Sequence, residues 1–377
     1  MEQLALHNKT ILITGAAGFI GTHLILRLLK EERGVRIVGV DSVNDYYDVT
    51  LKEHRLSVIE KAADAAAENT WVFCKENIAD KAAVDGIFAE FRPDVVVNLA
   101  AQAGVRYSID HPEAYMEANI TGFFNILEAC RHSYDGLSGA ARKDSAEDGT
   151  YRGVRHLVYA SSSSVYGGNT KIPFSTEDPV DHPVSLYAAT KKSNELMAHC
   201  YGKLYDMPVT GLRFFTVYGP MGRPDMACFL FTNMWREGKK VQIFNYGDCE
   251  RDFTYVDDIV EGVYRVMRKP PARGKDEYGL PKAPYAVYNI GNNHPEKLMD
   301  FVGILAEELV RAGVLPQDFD VEAMSEKVPM QPGDVPRTYA DTAPLERDFG
   351  YKPATDLRDG IRRFAEWYAA YYGEANP

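Results

Sequence analysis

A tyrosine and a lysine four residues apart are the side chains of this sequence whose types and spacing most clearly indicate chemistry. Tyr187 and Lys191 lie in a stretch that Leu196 and Met197 continue as a helical pattern. On a helix, side chains four positions apart project from the same face. A cation beside a phenol favours the phenolate, which makes the phenol a useful general base near neutral pH. The pair therefore predicts proton transfer.

A second pair with the same spacing, Tyr278 and Lys282, has a different sequence context. Gly279 and Pro281 lie between the two residues, and both residue types disfavour a helix. We therefore expect no proton-transfer pair there.

A glycine-rich turn follows the first apolar run of the chain. Residues 10–14 are followed at once by three glycines at three-residue spacing and then by a helical pattern. A strand, a glycine turn and a helix together bind the pyrophosphate of a dinucleotide, because the backbone can approach closely and the helix N-terminus attracts negative charge. The alternative is a glycine turn that binds no ligand. The predicted dinucleotide contacts here are Gly15, Gly18, Phe19, Ile20 and Gly21.

An acidic residue, Asp41, ends the second predicted strand, residues 36–40, about 20 residues after the glycines. A carboxylate in this place accepts hydrogen bonds from both hydroxyls of the adenine ribose and repels a 2′-phosphate. The sequence therefore predicts NAD as the cofactor rather than NADP. The alternative is an ordinary acidic residue at the end of a strand.

Helical patterns alternate with further apolar segments, which are residues 71–75, 93–99, 156–160 and 209–215. This alternation predicts an α/β protein with a doubly wound parallel sheet. Ligands bind to such a sheet at the carboxyl ends of its strands. Ala100 and Ala101 follow one strand and are small enough to let a flat cofactor pass. The serines at 161–164 follow another strand and are either ligand contacts or a polar turn.

Loops rich in proline, glycine and arginine replace the alternation after residue 215. We therefore predict a dinucleotide-binding domain at residues 1–215 and a smaller C-terminal α/β domain for the substrate at residues 216–377. Parts of 252–268 and 286–291 are expected to return to the first domain. The polar segment at 133–153 is interpreted as a surface insertion without a catalytic role.

Charge and composition exclude several classes of partner. The chain has 377 residues and a formal net charge of −12, so neither a nucleic acid nor an anionic membrane is expected as a partner. No apolar run approaches the roughly 18 residues that a membrane span needs. Five cysteines are scattered without the short paired spacings of zinc sites or disulfide frameworks. We therefore expect a cytoplasmic protein that requires no metal.

Taken together, these residues resemble the extended short-chain dehydrogenase/reductase family and, within it, the NAD-dependent nucleotide-sugar epimerases, most closely those that act on UDP-glucuronate. The resemblance extends over nearly the whole chain. Besides the glycine turn, Asp41, Tyr187 and Lys191, it rests on segments 98–106, 161–167, 212–225, 251–253 and 331–334. It implies a Rossmann domain followed by a smaller nucleotide-sugar domain. It also implies a homodimer, in which helices near 115–130 and 187–201 pack as a four-helix bundle.

The resemblance also assigns roles to individual residues. Ser162 would join Tyr187 and Lys191 as the catalytic set, and Lys191 would also hold the nicotinamide ribose. Further contacts of NAD would be Asn77, Ile78, Leu99, Ala100 and Ala101. Contacts of the UDP-sugar substrate would be Arg106, Ser163, Ser164, Tyr187, Thr216, Arg223, Arg251 at the diphosphate and Asp334 at the uridine ribose. Relatives usually carry Asp in place of Asn77; its carbonyl can still accept a hydrogen bond, so we expect weaker but retained NAD binding.

The reaction that the resemblance implies is the 4-epimerisation of UDP-glucuronate to UDP-galacturonate through a 4-keto intermediate. The alternatives are a UDP-glucose 4-epimerase, a UDP-glucuronate decarboxylase and a sugar-nucleotide 4,6-dehydratase. The last two need a carboxylic acid directly after the catalytic serine, where this chain has Ser163 and Ser164. A protein that only senses NAD would have no use for Tyr187 and Lys191.

The carboxylate of a glucuronate needs to be held still, because a carboxylate beta to a ketone leaves as carbon dioxide when its bond aligns with the carbonyl π system. We expect the hydroxyls of Ser163, Ser164 and Thr216 to hold it, since hydrogen bonds to a charged group are worth roughly 1.5–3 kcal/mol each. A cation in direct contact, Arg106 or Arg223, is the second possibility. The third is that these hydroxyls only cap the turn and the strand end.

Overall fold

A computed structural model of the chain describes residues 3–137, 151–330 and 337–374. The chain divides into two compact units. The first comprises Met1–Gly167, Pro179–Arg213 and Val263–Tyr288. The second comprises Gly168–Asp178, Phe214–Gly262 and Asn289–Pro377. Residues 138–150, in the middle of the predicted surface insertion, lie outside the described residues.

A seven-stranded sheet forms the centre of the first unit. With strands numbered along the chain, it contains β1 Thr10–Thr14, β2 Arg36–Val40, β3 Thr70–Cys74, β4 Val95–Asn98, β5 His156–Ser162, β6 Val209–Phe214 and β12 Tyr285–Ile290. The order is β12-β6-β5-β4-β1-β2-β3, and β1 pairs in parallel with both β2 and β4. The strand order reverses between β1 and β4, which is where a doubly wound sheet binds its ligand. The predicted doubly wound sheet is confirmed.

The helices of the first unit cover the sheet, so its strands read as continuous apolar runs rather than alternating ones. β4 shows this most clearly, since all four of its residues are buried. Leu12, Val38, Val96 and Leu157 of neighbouring strands pack with Phe123 in one core cluster. The helices are α1 Phe19–Glu31, α2 Val49–Ala65, α3 Lys81–Phe91, α4 Tyr107–Asp110, α5 Pro112–Tyr115, α6 Phe123–His132 and α7 Leu186–Tyr205.

The helix α2 begins earlier than its sequence pattern indicates. The apolar pattern predicts a start near residue 57, but the helix starts at Val49. The side chain of Asp48 accepts a hydrogen bond from the backbone N–H of Thr50 at 2.9 Å and so caps the helix. The additional turns carry two buried cations, Lys52 and Arg55.

The helix predicted over residues 115–130 is not regular. A π-helical stretch, Met116–Gly122, lies between α5 and α6. Gly122 lies so close to Ile78 that a Cβ at this position would be 2.7 Å from the Ile78 Cγ1 atom. A π-helical turn in an α-helix often occurs at a functional site, because it changes the direction of the side chains around it.

The described residues of the second unit form two small sheets and several helices. β7 Thr216–Tyr218, β9 Glu250–Tyr255 and β13 Pro295–Lys297 form one sheet, in which β7 is parallel and β13 antiparallel to β9. β8 Val241–Ile243 and β14 Ser325–Lys327 form the other. The helices are α8 Ala227–Arg236, α10 Leu298–Arg311, α11 Ala343–Phe349 and α12 Leu357–Glu374, while α9 Val256–Met267 contributes residues to both units.

Tyr278 and Lys282 lie in a β-hairpin of the first unit, formed by β10 Gly274–Lys275 and β11 Pro281–Lys282. Gly279 has a φ of +75°, which no helix contains. The expectation that this pair is not helical is confirmed. Among the described residues, no helix has the length and the apolarity that a membrane crossing requires.

A buried histidine makes the stability of the protein depend on pH. His156, at the start of β5, is fully buried, and its ring nitrogens contact the Met267 carbonyl at 3.1 Å and the Thr210 hydroxyl at 2.9 Å. Burial lowers the pKa of His156 to about 4, whereas an unfolded histidine has a pKa near 6.5. Between these values the unfolded chain binds more protons than the folded chain, so stability falls as the pH decreases.

We therefore expect His156 to reduce the free energy of unfolding by about 1.4 kcal/mol per pH unit between roughly pH 6.5 and pH 4. His156→Asn keeps an N–H group for the Met267 carbonyl but has no titrating group. Urea unfolding at several pH values measures the effect: the stability difference between wild type and variant should shrink on acidification. A difference that does not change with pH would contradict this assignment.

Candidate active site

The helix α7 carries both Tyr187 and Lys191. It begins after Ser185, whose side chain accepts a hydrogen bond from the Ala188 backbone N–H at 3.1 Å, so Tyr187 lies in its first turn. Lys191 is buried, and its Nζ donates to the Ala160 carbonyl of β5 at 3.1 Å. Burial lowers the pKa of Lys191 to about 8, which leaves most molecules protonated at neutral pH. A positive charge is thus held one helical turn from Tyr187.

The serines that follow β5 have different environments. Ser162 caps the short 3-10 helix Ser163–Tyr166, because its Oγ accepts from the Ser164 N–H at 3.2 Å and donates to the Ser164 Oγ at 3.1 Å. Ser161 is buried, and its hydroxyl donates to Glu195 of α7 at 2.7 Å. The hydroxyl of Ser161 thus donates inside the protein, and the expectation that residues of this serine segment contact a ligand stays a prediction.

The glycine turn between β1 and α1 has no space for side chains at its closest contacts. Gly15 has a φ of +73°, and a Cβ there would lie 2.8 Å from the Ala100 backbone nitrogen. A Cβ at Gly21 would lie 2.1 Å from the Gly15 carbonyl oxygen. Gly18 is the N-cap of α1, and no side chain among the described residues caps this helix. The turn and the first N–H groups of α1 therefore fit the pyrophosphate of a dinucleotide.

Asp41 contacts the same turn from the end of β2. Its Oδ2 accepts from the Ala17 N–H at 3.0 Å, and its Oδ1 accepts from the Val43 N–H at 2.8 Å. A carboxylate has about four acceptor positions, so these two bonds leave capacity for ribose hydroxyls. Arg55 of α2 donates to the Ala17 carbonyl at 3.0 Å, which holds the Ala17 peptide from its other side. The sequence prediction missed Arg55, because this residue precedes the predicted start of α2 near residue 57.

Residues 11–291 match the model of the NAD dependent epimerase/dehydratase family. The chain belongs to this family. Protein CapI of Staphylococcus aureus is 49% identical to it over 368 residues, which cover 96% of this chain and 99% of that protein. The probable UDP-glucuronate 4-epimerase of Rhizobium meliloti (strain 1021) is 42% identical over 372 residues, which cover 97% of this chain and 98% of that protein.

A solved structure agrees with this membership. The UDP-glucuronic acid 4-epimerase from Bacillus cereus, in complex with UDP-glucuronic acid and NAD, is similar with a TM-score of 0.77 and 29% sequence identity. The similarity covers 96% of this chain and 100% of that chain. The Rossmann fold of an NAD-dependent epimerase/dehydratase is therefore the fold of this protein.

The other predicted NAD contacts of this epimerase/dehydratase lie near the carboxyl ends of β1, β3 and β4. The N–H groups of Leu99 and Ala100 donate to the Thr14 carbonyl at 3.2 Å and to its hydroxyl at 3.1 Å. The side-chain amide oxygen of Asn77 accepts a hydrogen bond from the Ala79 N–H at 2.9 Å, so part of the acceptor capacity of this oxygen is used inside the protein. Ile78 is buried and Ala101 is half-buried. Their contacts with NAD stay predictions.

Tyr115 is an aromatic neighbour of Tyr187 that the sequence prediction did not assign to the site. It is fully buried, and its ring packs edge-on against the Tyr187 ring at a centroid distance of 5.9 Å. Its hydroxyl donates to the Ala103 carbonyl at 3.0 Å, in the loop after β4. Tyr115 thus joins this loop to the first turn of α7.

Asn119, in the π-helical stretch, makes a second connection between the same loop and α7. Its amide oxygen accepts from the Gln102 N–H at 2.8 Å, and its Nδ2 donates to the Thr190 hydroxyl at 3.0 Å. Its backbone carbonyl accepts from the Asn194 side chain at 2.7 Å. The sequence gives no clear signal for this role, because the same helical pattern contains other polar residues such as Asn125.

Three predicted substrate contacts belong to the second unit. Thr216 begins β7, and Arg251 lies in β9, where its Nη1 donates to the Glu250 carbonyl at 3.0 Å. Arg223 forms a bidentate ion pair with Asp225, at 3.0 and 2.5 Å. Their roles in substrate binding stay predictions.

A buried carboxylate, Asp252, lies beside Arg251 and organises this part of the second unit. It accepts backbone hydrogen bonds from Asn292 at 2.6 Å, Asn293 at 3.1 Å and Ala340 at 3.1 Å. Burial raises the pKa of Asp252 to about 6, against the effect of these hydrogen bonds. Asp252 therefore ties two loops to β9.

The two remaining predicted substrate contacts are Arg106 and Asp334. Arg106 of the first unit is exposed and immediately precedes α4. Asp334 lies outside the described residues, so its assignment to the uridine ribose stays a prediction.

Proposed function

We propose that the protein is an NAD-dependent 4-epimerase that converts UDP-glucuronate to UDP-galacturonate. Membership of an NAD-dependent family supports the cofactor, and the relatives named as UDP-glucuronate 4-epimerases support the substrate. One observation favours epimerisation over elimination: Ser163 and Ser164 follow Ser162 directly, where a dehydratase or decarboxylase needs a carboxylic acid. We further propose that the first unit binds NAD and that the second unit binds the nucleotide sugar.

Tyr187 acts in this proposal as the general base and acid. It takes the proton of the 4-hydroxyl when the sugar is oxidised and returns it when the hydroxyl forms again. Lys191, held on the Ala160 carbonyl, keeps a positive charge near the phenol and so favours its ionised form. Ser162 hydrogen-bonds the 4-oxygen and orients it. The glycine turn and Asp41 would hold NAD, which would supply the hydride acceptor and donor for carbon 4.

The proposed function is tested with purified protein, UDP-glucuronate and UDP-glucose in separate reactions followed by NMR. We expect UDP-galacturonate from the first reaction and no UDP-galactose from the second. Conversion of UDP-glucose alone would favour the hexose epimerase instead. A UDP-pentose as the main product would identify a decarboxylase.

We also propose that Ser163 and Ser164, in the first unit, bind the glucuronate carboxylate as neutral donors and keep it away from the decarboxylation geometry. Loss of one such hydrogen bond costs roughly 1.5–3 kcal/mol. Ser163→Ala and Ser164→Ala should therefore raise KM for UDP-glucuronate about tenfold or more, or release carbon dioxide and a UDP-pentose. Ser163→Thr keeps the hydroxyl and serves as the control. Normal epimerisation by both alanine variants would contradict the hydroxyl pocket.

We propose a homodimer, supported by exposed apolar side chains on the helices that the family resemblance assigns to the interface. Leu196 and Leu204 of α7 are 60% and 66% exposed, and Phe124 of α6 is 42% exposed. Burying such side chains against a second copy stabilises the dimer.

Light scattering should give a dimer mass at micromolar concentration, and Leu196→Glu with Leu204→Glu should give a monomer. Leu280→Glu, at a 58% exposed site in the hairpin, is the matched control; a monomeric wild type would contradict the proposal.

We infer that the protein works in the cytoplasm. All five cysteines, Cys74, Cys130, Cys200, Cys228 and Cys249, are free thiols, which suits a reducing compartment. Cell fractionation should recover the protein with the soluble cytoplasmic enzymes, and recovery with exported proteins would contradict this inference.

A further inference from the structure

A buried ion pair connects the serine segment to the helix of Tyr187 and Lys191. Glu195 lies one turn beyond Lys191 on α7 and is only 3% exposed. Its Oε1 accepts from the Arg213 Nε at 2.8 Å, and its Oε2 accepts from the Arg213 Nη2 at 2.8 Å. Arg213 lies on β6, next to β5 in the sheet. The pair therefore connects the helix to the sheet.

The same ion pair holds the serine segment at both of its ends. Ser161, immediately before Ser162, donates its hydroxyl to the Glu195 Oε1 at 2.7 Å. Tyr166, the last residue of the 3-10 helix, lies with its ring 4.9 Å from the Arg213 guanidinium carbon, in a cation–π contact. Residues 162–165 thus lie between two contacts with one ion pair, which joins α7 to β6.

Because charges are costly to bury, this ion pair fixes the positions of its neighbours more than it raises the free energy of unfolding. Removing two charges from water costs several kcal/mol per ion, and replacing a buried pair with apolar residues of similar volume is often neutral or stabilising. A carboxylate and a guanidinium, however, impose fixed directions through their bidentate hydrogen bonds. Apolar side chains at these two positions would pack without specifying where residues 161 and 166 lie relative to α7.

We propose that Glu195 and Arg213 are positioning residues that fix Ser162 in register with Tyr187 and Lys191. Neither residue contacts the reacting atoms in this assignment. Both act through Ser161 and Tyr166, which set the direction of the backbone on either side of the catalytic serine. The inference deepens the proposed function and rests on it, since it assigns to these residues the alignment of a proton-transfer set.

The double variant Glu195→Leu with Arg213→Met tests this directly. Glu195→Leu alone would leave the buried Arg213 guanidinium without its carboxylate partner and could unfold the protein, whereas Arg213→Met alone would leave Glu195 beside Lys192 at 3.6 Å. The double variant should keep the melting temperature and the bound NAD of the wild type, but kcat should fall on the order of 10²-fold because a misplacement near 1 Å has that effect. KM should change much less than kcat. A double variant with wild-type kcat would overturn the proposal.

A milder pair of variants decides the question if the double variant does not fold. Ser161→Ala removes only the hydroxyl that reaches Glu195, and kcat should fall about tenfold, which corresponds to about 1.4 kcal/mol. Ser161→Thr keeps the hydroxyl and should restore the rate. Tyr201→Phe is the matched control. Tyr201 lies on α7, as Glu195 does, and the variant also removes one hydrogen bond from a hydroxyl to a carboxylate, which here is the 2.6 Å bond to Glu128. Equal kcat for Ser161→Ala and wild type would also overturn the proposal.

Amide hydrogen exchange provides a readout that needs no turnover. The segment 161–166 should exchange at least tenfold faster in Ser161→Ala than in wild type, and the Tyr201→Phe control should not change it. Unchanged exchange of the segment would overturn the positioning role even if the rates differ. Failure of the wild type to convert UDP-glucuronate would instead contradict the proposed function and leave the exchange result to decide this inference.

Discussion

Replacing Tyr187 with phenylalanine should lower kcat by about 10²–10⁴-fold, because the variant loses the group that takes and returns the proton of the 4-hydroxyl. The phenyl ring keeps the edge-on contact with Tyr115, which is 5.9 Å away between centroids, so the fold and the substrate affinity should be retained. The measurement is steady-state conversion of UDP-glucuronate by wild type and variant, with the melting temperature recorded for both proteins.

Tyr201→Phe is the control for this prediction, since Tyr201 lies on the same helix and its hydroxyl bonds to Glu128 rather than to any predicted site residue. The control should keep its rate. Near-normal turnover in Tyr187→Phe would place the general base elsewhere, whereas a slow but correctly folded variant supports the assignment.

Introducing a methyl group at Gly21 should remove most of the bound NAD. A Cβ at Gly21 would lie 2.1 Å from the Gly15 carbonyl oxygen, and this oxygen belongs to backbone that cannot move without changing the turn. Gly21→Ala should therefore destabilise the protein by about 1–3 kcal/mol. The NAD(H) released on denaturation, expected at about one per chain in wild type because the reaction has no net redox change, should fall on the order of tenfold or more.

Gly86→Ala is the matched control for this change. Gly86 lies within α3, and a Cβ there meets no atom within 4 Å. In the interior of a helix, alanine is more stable than glycine by roughly 0.5–1 kcal/mol, so the control should keep its NAD and gain slightly in stability. A Gly21→Ala protein that carries NAD at the wild-type level would contradict the assigned pyrophosphate turn.

Local sequence determined the fold class and the identity of the cofactor. The glycines at 15, 18 and 21, the acid at the end of β2 and the alternation of apolar runs with helical patterns act over a few residues. They therefore predict a doubly wound, NAD-binding sheet without knowledge of distant contacts. The spacing of Tyr187 and Lys191 is equally local, because a helix alone places them on one face.

Only the tertiary structure decided which polar side chains form hydrogen bonds inside the protein, and with which partners. Ser161 and Ser162 are adjacent and identical in type, yet the hydroxyl of Ser161 donates to Glu195, 34 residues away, while Ser162 caps a turn. Arg55 reaches the Ala17 carbonyl across 38 residues, and Asn119 reaches Thr190 across 71. The reason is physical: a periodic pattern predicts which face of an element is buried, but the partner of a buried polar group depends on packing between elements that are distant in the chain.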